Sequence, residues 1–269
     1  MLATVLLALL AVVTIIVVFQ RVFIYYPGKY SEGAIRTALN LGVSVVYFRT
    51  PGGNQAAFFY PATACYPSRL WILFGGNAML ALDWLDLLRE FPHRSTGFLL
   101  VDYPGYGLCS GRPTPARILE TSEKAFSALQ DQNGWNFGPE SIGILGCSLG
   151  AAAGLQFAAQ HPVARLILVS PFTTMNEIFK RFVGFNPGPL LLHRFDNIKA
   201  LGRILAQEPA PKVTILHGRA DTLIPVSMGQ ALAKVDPGQI RFVQIPDAGH
   251  SNVLAVARST VFADMVAPQ

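Results

Sequence analysis

The sequence predicts an α/β domain: a mostly parallel, eight-stranded sheet with helices on both faces, a short helical cap insertion and an N-terminal transmembrane helix. Three observations predict it. Of the 269 residues, 51% are apolar, ample for one large core. Eight short apolar runs recur along the chain, and from Leu70 onward they alternate with helical segments, the pattern of parallel strands covered on both faces. Ahead of all of them, Leu2–Phe19 is an 18-residue stretch without a charge.

In chain order, Leu2–Phe19 reads as an anchor, because its helical rise spans roughly 27 Å, close to one hydrocarbon core. Phe23, Tyr25 and Tyr26 follow as an interfacial aromatic belt, among the cations Arg21, Lys29 and Arg36. A cleaved signal peptide and a buried core helix are the competing readings. Against the first, no Lys or Arg precedes the apolar core and no small-x-small site precedes Arg21. Against the second, the segment is apolar on every face. The expected organisation is an anchor over 1–22 and one domain over 23–269. Cations following the anchor place that domain in the cytoplasm by the positive-inside rule.

"VSVVYFRT" (Val43–Thr50) and "QAAFFYPA" (Gln55–Ala62) flank Pro51-Gly52-Gly53-Asn54 and read as a hairpin. "LWILFGG" (Leu70–Gly76) is a buried strand, followed by a helix over Leu80–Phe91. "GFLLVDY" (Gly97–Tyr103) precedes a helix over Pro113–Gln132. "SIGILG" is a strand whose helix runs from Ser148 to Gln160 and stops at His161-Pro162. "RLILVS" (Arg165–Ser170), "KVTILHG" (Lys212–Gly218) and "IRFVQIP" (Ile240–Pro246) complete the set. Between the first two of these lie about 40 residues where such connections hold one helix. This insertion, about 171–210, carries Phe172, Phe179, Phe182 and Phe185, and reads as extra core or as a lid over an apolar pocket.

Composition narrows the partners. The net charge is +5 without a dense basic run or an aromatic-interleaved basic stripe, which argues against nucleic acid. A mildly basic surface beside an anchor suits anionic lipid headgroups of a bilayer. Cys65, Cys109 and Cys147 have no metal-ligand spacing, and their odd number cannot close completely into disulfides. No metal motif, Walker A loop or G-x-G-x-x-G after a strand occurs, so no metal and no cofactor is expected. Oligomeric state leaves no mark in the sequence.

The strand-to-helix junction "GILGCSLG" sets Ser148 between Gly146 and Gly150. G-x-S-x-G at such a junction is a nucleophile elbow, a tight turn that presents the serine hydroxyl above a helix N-terminus. A neutral serine needs a base, itself oriented by an acid. Strand order places the acid after "KVTILHG", where Asp221 stands, and the base after the last strand, where His250 stands. Asp247 competes as acid, but Pro246-Asp247-Ala248 reads as a turn. His217 reads as structural, and His93, His161 and His193 carry no catalytic pattern. A tetrahedral intermediate needs two amide donors. Leu149 supplies one, and the loop "FGGNAML" the other, with Asn77 preferred over Gly76 or Ala78.

"LFGGNA", "VDYPGYGLCSGRPT", "GILGCSLGAAAGLQFAAQ", "ILHGRADTLIPVSMGQALA" and "IPDAGHSNVL" together resemble the α/β-hydrolase superfamily, from Val43 to the C-terminus. The nearest likeness is to its single-pass, membrane-anchored α/β-hydrolase-domain proteins, beside the serine aminopeptidase-like and monoacylglycerol-lipase-like branch. The resemblance implies a serine hydrolase with Ser148 as nucleophile, Asp221 as acid, His250 as base, and Asn77 and Leu149 as oxyanion amides. Two departures stand out. Relatives commonly have His-Gly-Asn-Ala, the histidine supporting the loop, where this chain has Gly75-Gly76-Asn77-Ala78. Cys147, beside the serine, could be mistaken for the nucleophile, but the centre of the elbow is Ser148.

Anchor and insertion together point to an ester or thioester of an apolar acyl chain, held in a pocket of Gly76, Phe172, Phe179 and Phe182. An amidase or peptidase is the alternative; an exopeptidase needs a carboxylate for the substrate amine, and Glu177 and Asp196 are the candidates. A non-catalytic scaffold on the same fold is the third reading, disfavoured because all three triad residues are present in order.

Overall fold

The computed structural model describes residues 2–63, 66–92 and 95–267; many side chains of 2–18 are outside that description, as are Cys65 and His93. The chain opens with helix α1 (Leu2–Ile24). Among the described residues no helix is long and apolar enough to cross a membrane. The transmembrane helix expected over Leu2–Phe19 is therefore not shown, and most of its side chains lie outside the described residues. Of the aromatics expected as an interfacial belt, Phe23 and Tyr26 are exposed and Tyr25 is not. Gln20, Ile24 and Tyr25 are buried against the domain, so Tyr25 is a core residue and not an interfacial one.

Eight strands among the described residues form one sheet: β1 (Ser44–Thr50), β2 (Gly53–Tyr60), β3 (Arg69–Phe74), β4 (Thr96–Val101), β5 (Ile142–Cys147), β6 (Arg165–Val169), β7 (Lys212–Gly218) and β8 (Ile240–Ile245). Their spatial order is β1-β2-β4-β3-β5-β6-β7-β8. β1 and β2 pair antiparallel, as do β2 and β4; every later pairing is parallel. The hairpin and the parallel sheet are as the sequence predicts.

Alternation along the strands builds two cores. On β3, Leu70, Ile72 and Phe74 face one side while Trp71 and Leu73 face the other. The first side is covered by α4 (Pro115–Asn133), α5 (Leu149–Ala158), α7 (Asn197–Leu205) and α8 (Val226–Ala233). The second is covered by α2 (Glu32–Asn40), α3 (Leu85–Leu88), α9 (Val253–Val256) and α10 (Arg258–Val266).

One expectation is corrected. Leu80–Phe91 is no continuous helix but a 3₁₀ turn (Ala81–Trp84) running into the single turn of α3. Ala81, Leu82, Trp84, Leu85, Leu87 and Leu88 are all buried there, so the segment is wrapped in core and lacks the one-sided stripe of a surface helix. The insertion between β6 and β7 falls into two halves. Its second half, with Leu191, Phe195, Leu201 and Ile204, is buried, and α7 packs on α5. Its first half is helix α6 (Met175–Val183), started by the Thr174 side chain on the Glu177 N–H and ended at Gly184 in the left-handed region.

Candidate active site

β5 delivers Ser148 to the carboxyl edge of the sheet, where parallel α/β sheets place their ligands. Its backbone is held at φ 54°, ψ −114°, a conformation that L-residues rarely adopt, and α5 begins at the next residue. The glycines are sterically required. A Cβ on Gly146 would run into the backbone of Gly150 and Ala151, and one on Gly150 into the Phe74 and Gly75 carbonyls. The Ser148 N–H donates to the Val169 carbonyl (2.8 Å), tying the elbow to β6. Its hydroxyl makes no hydrogen bond within the described residues, to His250 or otherwise.

Asp221 and His250 meet beyond β7 and β8: His250 Nδ1 lies 2.8 Å from Asp221 Oδ2. Asp221 is 6% exposed, and its Oδ1 accepts from the N–H groups of Leu223 (3.0 Å) and Ile224 (2.8 Å). His217 Nε2, fully buried, donates to the Ile224 carbonyl (2.8 Å) and approaches Asp221 Oδ2 at 3.5 Å. Burial alone would push the Asp221 carboxyl up; hydrogen bonds from His217, His250 and the Ile224 N–H outweigh it and hold the group well below the usual carboxylate range. Asp221 is thus a fixed anion against one edge of the His250 ring. His217 joins it as a positioning neighbour that the sequence showed only as structural. Asp247 sits exposed in a turn, as its neighbours suggested.

Cys147 points to the opposite side of the sheet, into the core with Leu145 and Val169. Burial, with a smaller push from the Asp221 charge, raises its thiol to about 12, so it is protonated and unreactive.

Ser148 lines a cavity of about 450 Å³, of the size that takes a small-molecule ligand. One wall is α6, whose Met175, Ile178, Phe179 and Phe182 recur at i, i+3, i+4, i+7. Phe172 joins them from the start of the insertion, and Leu223 and Ile224 from the Asp221 loop. Phe23 and Ile24 at the end of α1, and Tyr26 just beyond it, complete the lining. Of the expected pocket residues, Phe172, Phe179 and Phe182 line the cavity. Gly76 does not: it is buried behind Ser148, where a Cβ would lie 3.8 Å from that of the serine. Phe185 is exposed and outside the lining.

Asn77 and Leu149 line the cavity beside Ser148, whereas Gly76 and Ala78 do not. Among the described residues neither the Asn77 nor the Leu149 N–H is taken by a protein acceptor. Two free amides flanking an elbow serine suit an anionic oxygen. The two carboxylates considered for an amine lie elsewhere. Asp196 caps α7 through the Lys199 N–H (3.0 Å), and Glu177, exposed on α6, is hydrogen-bonded by Thr173. Neither lines the cavity.

The α1 wall and the Met175–Ile178 face of α6 were not anticipated. The α6 residues were readable from their helical spacing. Phe23, Ile24 and Tyr26 gave no usable signal, because apolar residues after an apolar helix look alike whether they meet lipid or protein.

A strained serine at the carboxyl edge of a parallel sheet, above a helix N-terminus, with an acid–imidazole pair in the following loops, defines the class of α/β hydrolases. Sequence comparison agrees: the profile of the alpha/beta hydrolase family matches residues 71–209. An alpha/beta hydrolase domain-containing protein 17B of Homo sapiens is 32% identical over 212 residues, 76% of this chain and 68% of that protein. An uncharacterized Mycobacterium tuberculosis protein is 28% identical over 242 residues, 90% of this chain and 84% of that one. In fold, the chain is similar to a Pyrococcus furiosus esterase, with a TM-score of 0.67 at 17% identity over 90% of this chain and 97% of that one. The chain belongs to the alpha/beta hydrolase family and is a hydrolase by that membership.

Proposed function

We propose that the protein is a serine hydrolase that cleaves carboxylic esters or thioesters of apolar acyl chains at a membrane surface. One observation carries this reading: the elbow serine lines the same cavity as Phe172, Phe179, Phe182 and the apolar end of α1. Ser148 Oγ attacks the acyl carbon while His250 Nε2 takes its proton. Asp221, bonded to Nδ1, holds the ring so that Nε2 faces the reaction and stabilises the imidazolium. The oxyanion enters between the Asn77 and Leu149 N–H groups. The intermediate collapses, the C–O or C–S bond breaks, and His250 returns the proton to the departing alcohol or thiol. Water, activated by the same imidazole, then releases the fatty acid and restores Ser148.

In this reading Leu2–Phe19 anchors the chain as a single-pass helix, with the catalytic domain on the cytoplasmic side and the cavity supplied from the bilayer. The positions of Glu177 and Asp196 give the peptidase alternative no support. The test is a chain-length series of p-nitrophenyl esters and acyl thioesters with the full-length protein in detergent. Turnover that rises from acetyl to medium or long chains is the expected result. Hydrolysis of none of them, or faster cleavage of aminoacyl amides than of any ester, would overturn the proposal.

A further inference from the structure

The loop that carries Asn77 is supported from outside by Asp102–Tyr106, a stretch the reaction does not use. Three successive carbonyls of the loop are tied down. Tyr103 Oη donates to Gly75 O (2.6 Å), the Met79 N–H to Gly76 O (3.1 Å), and Tyr106 Oη to Asn77 O (2.6 Å). Further along, the Ala81 N–H donates to Asp102 Oδ1 (2.8 Å). The segment leaving α1 adds a third member to the Tyr106 contact. The Tyr26 N–H is shared between Asn77 O (3.1 Å) and Tyr106 Oη (3.0 Å).

This arrangement decides where the Asn77 N–H points. In a trans peptide it lies opposite the Gly76 carbonyl, so it can turn only if that plane turns. That plane is held directly by the Met79 N–H on Gly76 O (3.1 Å), and Gly76 on its own offers little resistance to a flip. The planes before and after are the ones held by the two tyrosine hydroxyls. Tyr103 and Tyr106 are themselves fully packed, edge to face at 5.4 Å. Gly75 itself is packed closely, and a Cβ there would approach Met79 Cβ to 2.9 Å.

Resting on the serine-hydrolase reading, we propose that Tyr106 is a positioning residue for the oxyanion hole, and that Tyr26 brings the end of α1 into the same hydrogen-bond triangle. The N-terminal helix is then part of the catalytic apparatus as well as a wall of its pocket. Its attachment is reinforced by Gln20, 1% exposed, whose side chain accepts from the Leu192 (2.6 Å) and His193 (3.0 Å) N–H groups and donates to the Leu190 carbonyl (3.3 Å).

The experiment compares full-length wild type with Tyr106→Phe, which removes one oxygen, on a short p-nitrophenyl ester. In parallel it measures inhibition by an alkyl trifluoromethyl ketone, whose serine adduct carries the oxyanion, and by the matching alkyl alcohol, which does not. Expected are a kcat lower by about 10- to 100-fold, KM within about twofold, and ketone affinity weakened about as much as kcat/KM, with alcohol affinity unchanged. If Tyr106→Phe does not fold, Tyr103→Phe is read the same way, with a smaller fall expected. Unchanged kcat and ketone affinity, or equal weakening of ketone and alcohol, would overturn the proposal. If wild type neither hydrolyses the ester nor binds the ketone, the serine-hydrolase reading fails instead.

Discussion

The two walls of the cavity are built on different principles. The polar wall, where Ser148 lines the cavity and the Asp221–His250 pair lies outside the lining, comes from loops at the ends of β5, β7 and β8 and is fixed by directional contacts: the strained elbow, the 2.8 Å Asp221–His250 bond and the paired N–H groups on Asp221. The apolar wall, α6 and the end of α1, comes from segments added to the sheet and is shaped by side-chain packing. Its rim is open to solvent; Phe182 is 60% exposed. In the proposed function, chemistry that needs atoms placed within a fraction of an ångström falls on the rigid edge, while recognition of an alkyl chain is left to a softer surface.

Breaking the polar wall has the largest effect. Ser148→Ala lowers kcat by about 10⁶-fold while ester binding, measured by competition with an alkyl alcohol, stays the same. Asp221→Asn leaves Ser148 in place but loses the anion that orients His250, and the expected result in steady-state kinetics is a kcat down by about 10⁴-fold. The apolar wall separates from it cleanly in Phe182→Ala. Because Phe182 is mostly exposed, stability changes little, but kcat/KM for long-chain esters falls about tenfold while that for acetyl esters holds.

An effect on stability, and not on activity, lies beneath the polar wall. Burial raises the Asp102 carboxyl from its ordinary 3.8 to about 6, against the lowering influence of the Tyr30 hydroxyl and the Ala81 N–H. Between those values the native protein holds a proton that the unfolded chain releases. Stability therefore falls as pH rises from about 4 to about 6, by about 3 kcal/mol from this group, and is flat above. Asp102→Asn removes that slope, measurable by denaturant unfolding at pH 4.5 and 6.5.

The same contrast explains what the sequence revealed. The sheet, the elbow and the Asp221 and His250 positions were legible because each rests on local signals: apolar runs, turn residues, and loops at defined strand ends. Gly146 and Gly150 could be read because no side chain fits where they stand. Leu80–Phe91 misled because an apolar stripe and an apolar wrap differ only in what surrounds them. Tyr25 and the Gln20 latch depend on partners about 170 residues away in the insertion, contacts that no local pattern encodes. Tyr103 and Tyr106 were visible as part of "VDYPGYG", but their acceptors are backbone carbonyls, which have no signature in a sequence.

The central claim is that Ser148 is an activated nucleophile facing the cavity. It is tested most directly by labelling folded full-length protein with a fluorophosphonate, wild type beside Ser148→Ala and Cys147→Ala. Labelling of wild type and Cys147→Ala, with none in Ser148→Ala, is the predicted result. No label on folded wild type, or label retained in Ser148→Ala and lost in Cys147→Ala, would contradict it.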